Sequence, residues 1–299
     1  EMALQVRRAQ RDLFAATDKV GIPRPHPYLA VLAMDGDRMG QLVSDCRTRE
    51  EHQYLSAVLA DYAQNEVPRI VEEKFPGRLI YSGGDDVLAL LPARDALAAA
   101  EALRKTFAQR LAEAGFPGRH ASAGIALVHH MYPFGRALEE AHRAESAAKD
   151  NRGRDAVVVE ALRRSGEHKQ AGAKWDHAIA EVVEELRQAF AGDILARGFP
   201  YDLQALAYTM GGNKVPPEAQ KAALQRLERM PEDEEEVKVP PEARKAALQR
   251  LVRRRMEKGQ RESADRYVEM LAALGEAIGW GDMAQWVEMA RFMGQGGER

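Results

Sequence analysis

Two pairs of aspartates stand beside apolar segments of the sequence. Asp85 and Asp86 lie within LIYSGGDDVLALL, between two apolar runs, and Asp35 and Asp37 follow the apolar run YLAVLAM. Adjacent carboxylates next to a buried sheet repel each other and lose hydration, so their pKa values rise unless a cation compensates their charge. Because Mg²⁺ and Mn²⁺ prefer oxygen ligands, the pattern favours a metal site over a simple polar turn.

Acidic side chains at the ends of neighbouring strands can hold two metal ions roughly 3.5–4 Å apart, which suits in-line transfer of a nucleotidyl group. We therefore predict that Asp35, Asp85 and Asp86 are metal-binding, catalytic residues. Successive residues of a strand point to opposite faces, so Asp85 and Asp86 can share one site only if the turn twists. Which of these two aspartates contacts the metal directly is left open.

Gly83 and Gly84 precede the paired acids. Glycine supplies the positive φ that a two-residue hairpin turn requires, and it also allows a phosphate group to approach the main chain closely. A tight hairpin centred on these glycines would explain them if they stood alone. The acids that follow shift the interpretation toward a metal site at the turn.

The elements that must position these residues follow from hydrophobic periodicity. Residues 28–160 predict the order β-α-β-β-α-β-α-β, with strands at YLAVLAM, GRLIYS, DVLALL, HASAGIALVHH and RDAVVVEAL. This is the order of a split βαβ, ferredoxin-like palm of the α+β class, with an antiparallel sheet and helices packed on one face. The first strand of such a sheet neighbours the central hairpin, which would place Asp35 opposite the turn at Gly83–Asp86.

The helical pattern between the first two strands, from residue 38 to about residue 74, predicts two helices with a break near residues 46–50. Past about residue 165 the character of the chain changes, and residues 172–299 show only helical periodicity. We therefore expect a palm domain at residues 1–168 and an all-α domain at residues 169–299.

The helical part contains a duplicated segment. VPPEAQKAALQRL at residues 215–227 recurs as VPPEARKAALQRL at residues 239–251, and two copies are too few to build a solenoid. A basic stretch from Arg244 to Arg261 follows an acidic run at residues 232–236. The basic residues form either an ordinary charged helix face or a patch that binds an RNA or DNA backbone.

Composition excludes several classes of protein. The 299 residues carry a formal net charge of −3, so the chain is not globally basic. Its single cysteine, Cys46, excludes a disulfide framework and a multi-cysteine zinc site. No apolar run approaches the roughly 18 residues of a membrane span, so we expect a cytoplasmic protein. The chain opens with Glu-Met-Ala rather than with Met, which suggests that the native protein continues upstream.

Four motifs together carry a resemblance to a known family. YSGGDD, the upstream DGD, SAGIA at residues 122–126 and AKDNRGRDAV at residues 148–157 resemble the palm of the GGDEF and nucleotidyl-cyclase superfamily. Within it, the chain resembles the large palm-containing subunit of type III CRISPR effector complexes of the Cmr type, which carries GGDD and ends in a helical domain. The resemblance covers residues 25–168 by motif and the remainder by general character.

The resemblance implies a synthetase that joins ATP into cyclic oligoadenylate when the complex holds target RNA. It implies a site for Mg²⁺ or Mn²⁺, with two metal ions, formed by Asp35, Gly36, Asp85 and Asp86, Gly36 contributing its carbonyl. It implies a nucleotide site formed by Ser82, Gly83, Gly84 and Lys149. Lys149 would contact phosphates, and the alternative is an exposed lysine near a helix end.

The resemblance also implies partners. The helical domain would bind a small helical subunit and contact the guide RNA and target RNA, and no membrane is involved. The chain lacks a His-Asp dipeptide, so the family's DNase activity is not expected here. The family's first palm is missing as well, so an ATP site shared by two palms would be incomplete in this chain alone.

Two other functions remain open. The palm could be a catalytically silent scaffold that contacts RNA within the complex, although a scaffold has no use for three mutually repelling acids. A stand-alone cyclic dinucleotide cyclase is the third interpretation. It is disfavoured because the Glu-Phe of GGDEF is absent after Gly83-Gly84-Asp85.

Overall fold

The computed structural model of the chain describes residues 2–19, 26–211, 240–256 and 263–294. Its strands are β1 Tyr28–Gly36, β2 Arg78–Gly83, β3 Asp86–Pro92, β4 Ala121–His129, β5 Ala156–Leu162 and β6 His168–Lys174. Its α-helices are α1 Met2–Lys19, α2 Met39–Asp45, α3 Arg49–Asp61, α4 Ala96–Glu113, α5 Phe134–Asn151, α6 Ile179–Ala191, α7 Phe199–Gly211, α8 Pro241–Arg255, α9 Ala264–Ile278 and α10 Trp280–Gly294.

Within the described residues the strands form one sheet in the order β2-β3-β1-β4-β5-β6. All neighbouring strands are antiparallel except β4 and β5, which run parallel. The predicted α+β palm, with β1 beside the β2–β3 hairpin, is therefore confirmed. The sheet is mixed rather than purely antiparallel, because α5 crosses over between β4 and β5 and parallel neighbours need such a connection.

Helices cover both faces of this sheet, which corrects the prediction that they lie on one face. Ala30, Leu32 and Met34 of β1 pack in the main core with α2, α3 and α4. Val31 and Ala33 point to the other face and pack against α5. β1 is therefore buried on both sides, which explains why its sequence is continuously apolar instead of alternating.

The helical segment between β1 and β2 breaks where the sequence predicts. α2 ends at Asp45, and α3 begins after Thr48, whose hydroxyl accepts from the Glu51 amide while the Glu51 side chain accepts from the Thr48 amide. This capping box satisfies two main-chain donors at the start of the helix. The helix then widens into π-helical turns at Tyr62–Glu66 and Arg69–Lys74, on either side of Pro68, which has no amide to donate.

The sheet extends beyond the predicted palm boundary at residue 168. β6 pairs with β5 along its whole length, so residues 169–174 belong to the sheet and not to the helical part. α10 packs on β6 and on α6, α7 and α9, and α6 contacts α4. The C-terminal helices therefore continue the main core of the palm, and the fully buried Trp286 lies in that same core.

Charged side chains also join the helices to the sheet. Glu288 of α10 is 1% exposed and pairs with Arg163, which follows β5, and with Arg291 of its own helix. Arg152, just after α5, makes two hydrogen bonds of 2.6 and 2.9 Å to Asp282 of α10. A buried carboxylate such as Glu288 needs partners to offset its lost hydration. These two sets of contacts therefore fix how α10 packs against the palm.

The first copy of the duplicated segment and the acidic run at 232–236 lie outside the described residues. The second copy forms α8, which begins with Pro240 as its N-cap and Pro241 in the first turn, as the Pro-Pro-Glu start predicts. Among the helices that the structure describes, none is long and apolar enough to cross a membrane.

Candidate active site

The hairpin turn lies one residue later than the sequence prediction placed it. Gly83 is the last residue of β2 and pairs with Asp86, so the two loop residues are Gly84 and Asp85. Gly84 has a φ of +84° and Asp85 has a negative φ, the pattern of a type II′ turn with glycine at its first central position. Gly83 therefore serves a different purpose from Gly84, because its own backbone does not need positive φ.

This turn brings the three predicted acids together. Asp35 near the end of β1 shares a face of the sheet with Asp86 at the start of β3, and each carboxyl group shifts the pKa of the other. Asp85 lies in the loop, so the alternation of strand residues does not direct it away, and its carboxyl group also affects the pKa of Asp35. Both members of the Asp-Asp pair therefore lie close enough to Asp35 to interact with it electrostatically.

Gly36 is part of this contact. A Cβ atom on Gly36 would lie 2.9 Å from the Asp85 Cβ and 3.1 Å from its Oδ2. Any side chain at position 36 would therefore push Asp85 away from Asp35. The DGD sequence needs its glycine to let the turn approach the end of β1.

The pKa values of Asp35 and Asp86 are shifted in opposite directions. Burial raises the pKa of Asp86, and the contact with Asp35 raises it further, to about 7. Burial also acts to raise the pKa of Asp35, but its bonds with Asp86 and Lys149 outweigh that effect and lower it. Asp35 therefore loses its proton more readily than Asp86, so negative charge at the turn is concentrated on Asp35.

Lys149 supplies the cation nearest to this charge. Its amine contacts the Asp35 carboxylate and, at 2.7 Å, the carboxylate of Glu145 one turn earlier on α5. The Lys149 side chain is only 18% exposed, so the structure excludes the alternative of an exposed lysine at a helix end. Burial acts to lower the pKa of Lys149, but the two carboxylates outweigh it and raise the pKa.

Glu145 was not among the residues predicted from sequence. A glutamate four residues before a lysine on a helix is the signal that could have found it, because such residues meet on one helix face. Its side chain is 13% exposed, which leaves it little contact with water. Glu145 and Asp35 therefore compete for the same ammonium group.

The SAGIA motif positions α5 against the sheet. A Cβ atom on Gly124 would lie 2.1 Å from the main-chain nitrogen of Glu145 and 2.2 Å from the carbonyl oxygen of Ala141. The missing side chain lets the main chain of α5 lie directly on β4, which brings Lys149 to Asp35. Ser122, two residues earlier, is buried and donates from its hydroxyl to Asp37 at 2.8 Å.

Asp37 lies apart from the three acids. It is buried, and its carboxylate accepts from Ser122 and from the Asp155 amide at 2.9 Å. Both carboxylate oxygens of Asp37 are therefore engaged in hydrogen bonds, whereas a metal ligand needs an oxygen that is available to the metal. The second acid of DGD therefore has a role different from that of Asp35.

Ser82 and Gly83 occupy opposite faces of the hairpin. Ser82 pairs with Val87, whose side chain lies in the main core, and its hydroxyl is buried without a hydrogen-bond partner in the described residues. Gly83 is covered on the other face by Tyr81, whose hydroxyl oxygen lies 2.0 Å from where a Cβ on Gly83 would stand. Tyr81 is 55% exposed, and displacement of its side chain would uncover the main chain at Gly83.

The donor set at the turn consists of oxygen atoms, which suits Mg²⁺ or Mn²⁺. In the described part of the chain, however, no three His, Cys, Asp or Glu side chains are arranged to hold a metal ion together. The ammonium of Lys149 supplies positive charge beside Asp35, where a cation would bind. The chemistry of the residues fits a divalent metal.

The basic stretch is largely neutralised within the chain. Ion pairs join Arg244 to Glu276, Lys245 to Glu269, Arg253 to Asp265 and Arg255 to Asp202. Arg250 and Arg254 form no ion pair with any described residue. The contacts favour a charged helix face over a continuous patch for a nucleic-acid backbone, and Lys258 and Arg261 lie outside the described residues.

Residues 28–158, from the start of β1 into β5, match the family model of the second palm domain of Cas10/Cmr2. The chain is 34% identical over 203 residues to the CRISPR system Cmr subunit Cmr2 of Pyrococcus furiosus. That alignment covers 59% of this chain and 23% of the subunit, so the chain spans less than a quarter of this relative's length.

Solved structures share the fold. The cryo-EM structure of the Type III-B Cmr-beta bound to cognate target RNA aligns with a TM-score of 0.52 and 13% identity, over 72% of this chain and 36% of that chain. The Csm1-Csm4 cassette in complex with pppApA aligns with a TM-score of 0.48 and 17% identity, over 81% of this chain and 36% of that chain. The similarity to the Cmr-beta structure supports the palm architecture of this chain. Because the identity is only 13%, it supports the architecture alone.

Proposed function

We propose that this chain, a homologue of Cmr2 whose residues 28–158 are a second palm domain of Cas10/Cmr2, is a metal-dependent nucleotidyltransferase of a type III CRISPR effector complex. Its substrate is ATP, and its product is cyclic oligoadenylate. Asp35, Asp85 and Asp86 hold Mg²⁺ or Mn²⁺, with the Gly36 carbonyl as a further ligand.

One observation carries the proposal: three carboxyl groups, two from strand ends and one from the loop, lie together at the hairpin turn, where burial and Asp35 raise the pKa of Asp86 to about 7. Such repulsion lowers stability and has no use in a purely structural turn. When bound, a divalent metal would stabilise the leaving pyrophosphate and lower the pKa of the attacking 3′-hydroxyl.

The chain's own residues then bind and orient the nucleotide. Lys149 leaves Asp35 and neutralises the triphosphate, while Glu145 keeps the ammonium group close to the site. Gly84, at the first position of the turn, has no side chain and leaves room for phosphate oxygens to approach the main chain. The unpartnered hydroxyl of Ser82 and the main chain at Gly83 complete the nucleotide site once Tyr81 is displaced.

The proposed partners follow from the family. The C-terminal helices bind a small helical subunit of the complex, and guide RNA and target RNA control the palm, with sequence read by base pairing. A second palm in the complete subunit completes the ATP site. Most basic residues of α8 are engaged in ion pairs. Among the described residues of that helix, only Arg250 and Arg254 are free to contact RNA.

The test is an activity assay on the assembled complex with target RNA, Mg²⁺ or Mn²⁺, and each labelled nucleotide in turn. Wild type should convert ATP into oligomeric products, and Asp85→Ala/Asp86→Ala should abolish them. The matched control is Asp150→Ala on the exposed side of α5, which should retain full activity. Oligoadenylate from the double variant at the wild-type rate would contradict the proposal.

A silent scaffold is the second candidate, because Lys149 already compensates Asp35 and no described group of three side chains is arranged for a metal. It predicts no product from any nucleotide and an assembled complex that binds target RNA normally. A cyclic dinucleotide made from GTP would instead support a stand-alone type of cyclase. The same assay therefore separates all three functions.

A further inference from the structure

We propose that Asp37 and the Asp155 amide form a brace that fixes Lys149 relative to Asp35, which makes Asp37 a positioning residue for nucleotide binding. We call this contact the Asp37–Asp155 brace. The inference rests on the proposed function, since it takes the roles of Asp35 and Lys149 from there. It gives a purpose to the second acid of DGD and to the GRD of the AKDNRGRDAV segment.

Asp37 is bonded from three directions. Its carboxylate accepts from the Ser122 hydroxyl at 2.8 and 3.1 Å and from the Asp155 amide at 2.9 Å. Its own amide donates to the His120 carbonyl at 2.8 Å. A buried carboxylate with this set of donors is held in one orientation, and it ties the residues after β1 to β4 and to the loop that precedes β5.

The loop that receives this bond has an unusual backbone. After α5 ends, Gly153, Arg154 and Asp155 have φ values of +74°, +64° and +45° in succession. Residues other than glycine avoid this left-handed region, so the loop keeps this conformation only if its surroundings hold it. Asp155 is held on both sides, by Asp37 at its amide and by the Arg104 guanidinium of α4, which donates to its carboxylate at 2.8 and 2.7 Å.

Two contacts therefore join the same two segments. Asp35 and Asp37 lie two residues apart at the end of β1, while Lys149 and Asp155 lie in the last turn of α5 and in the loop after it. The Asp35–Lys149 ion pair must break when a metal binds Asp35 and a triphosphate binds Lys149. The brace uses neither residue, so it keeps the end of α5 beside β1 while the ion pair is exchanged for ligand contacts.

Asp37→Ala tests the brace in the assembled complex, where a second palm completes the ATP site. We expect its ATP affinity, measured by titration with Mn²⁺ present, to fall about ten-fold, because Lys149 is no longer held over the acids. Asp37→Asn keeps the shape and one acceptor oxygen and should restore most of that affinity. The control is Val252→Ala in α8, which removes buried side-chain volume far from the turn and should lower the melting temperature without changing ATP affinity.

A purely structural role for Asp37 makes a different prediction. In that case Asp37→Ala and Val252→Ala would bind ATP with the same affinity when each is measured at the same interval below its own melting temperature. That result would refute the brace. If Asp37→Ala does not fold, Ser122→Ala carries the test, with an expected loss of about three-fold. Unchanged ATP affinity in Ser122→Ala would then overturn the proposal.

The brace and the proposed function can fail separately. Wild type that binds ATP but makes no product refutes the function, while the affinity of Asp37→Ala still decides the brace. If wild type does not bind ATP, amide hydrogen exchange decides, because the Asp155 amide loses its acceptor in Asp37→Ala. Faster exchange across residues 148–156 in this variant than in Val252→Ala supports the brace, and equal exchange contradicts it.

Discussion

The main chain of α5 lies so close to β4 that a Cβ atom on Gly124 would be 2.1 Å from the nitrogen of Glu145. Main-chain atoms cannot give way as a flexible side chain can. The distance between helix and sheet, and with it the meeting of Lys149 and Asp35, therefore depends on the absence of one side chain.

Gly124→Ala should consequently separate α5 from the sheet. We expect a loss of about 1–3 kcal/mol in the free energy of unfolding, as for other overpacked cores. ATP affinity should fall as well, because Lys149 moves away from Asp35. Gly135→Ala in the same helix has no atom within 4 Å of the added Cβ and should be neutral or stabilising. Denaturant titration of both variants checks this, and equal stabilities would show that α5 can shift without cost.

Asp86→Asn should stabilise the metal-free chain at alkaline pH. A carboxyl group whose pKa is raised in the folded state binds its proton more tightly there. Stability therefore falls as the pH rises from about 4, the pKa of this carboxyl in the unfolded chain, to about 7, its pKa in the folded chain. Asparagine removes this loss. Because water screens this partly exposed carboxyl, we expect a gain of about 2 °C in melting temperature at pH 8.5 and none at pH 4.

Asp150→Asn on the exposed side of α5 is the control for this experiment, since the structure gives it no ion pair or hydrogen bond with a described residue. Its melting temperature should follow wild type at both pH values. A gain for Asp86→Asn that is the same at pH 4 and pH 8.5 would show that proton binding at the turn is not its cause.

A divalent cation should stabilise wild type and not Asp35→Asn. A ligand that binds only the folded state at 100 times its Kd adds about 2.7 kcal/mol to the free energy of unfolding. Thermal melts with Mn²⁺, and again after a chelator, measure this directly. Asp45→Asn, at the end of α2 and away from the turn, should keep the full response. An equal response in Asp35→Asn would place the cation elsewhere.

Glu145→Gln should weaken metal binding although Glu145 does not contact the proposed metal. Without this acceptor, Lys149 has only Asp35 as a carboxylate partner, so it competes more strongly with the cation. We expect a several-fold increase in the Kd for Mn²⁺, which paramagnetic resonance titration can measure. Glu139→Gln, exposed on the same helix, should leave the Kd unchanged. Tighter Mn²⁺ binding in Glu145→Gln would contradict the competition.

Glu288→Ala should destabilise the whole chain. It would leave Arg291 without its carboxylate and Arg163 with only the more exposed Glu167, and breaking such a buried pair costs about 3–5 kcal/mol. Because α10 and β6 share one core, the palm and the helices should still unfold in one transition. Glu269→Ala removes the exposed pair with Lys245 and should cost less than about 1 kcal/mol. Calorimetry that resolves two separate transitions would contradict the shared core.

The meeting of Asp35 with the Asp85–Asp86 pair could be predicted because the order of elements places β1 beside the hairpin. The exact turn could not, since Gly83-Gly84 and Gly84-Asp85 both suit a two-residue loop. The choice depends on the pairing of Gly83 with Asp86, with a register shift between Leu79 and Tyr81. That register depends on packing of the whole sheet.

The two-sided covering of the sheet also escaped prediction. It depends on how closely α5 can approach Gly124, which is a tertiary distance and not a property of the local sequence. β6 was missed for a different reason. Its sequence HKQAGAK contains no large apolar residue, so nothing in its composition signals a strand, and it forms one by completing the edge of β5.

The pairing of β6 with β5 limits how the palm can be produced in isolation. A polypeptide cut at residue 168 would leave the main-chain donors and acceptors of β5 open along an apolar edge, and it would strip the cover of α10 from the core. Open apolar edges pair with other chains. Such a truncated palm should aggregate during expression, whereas a boundary placed after α10 keeps that edge closed.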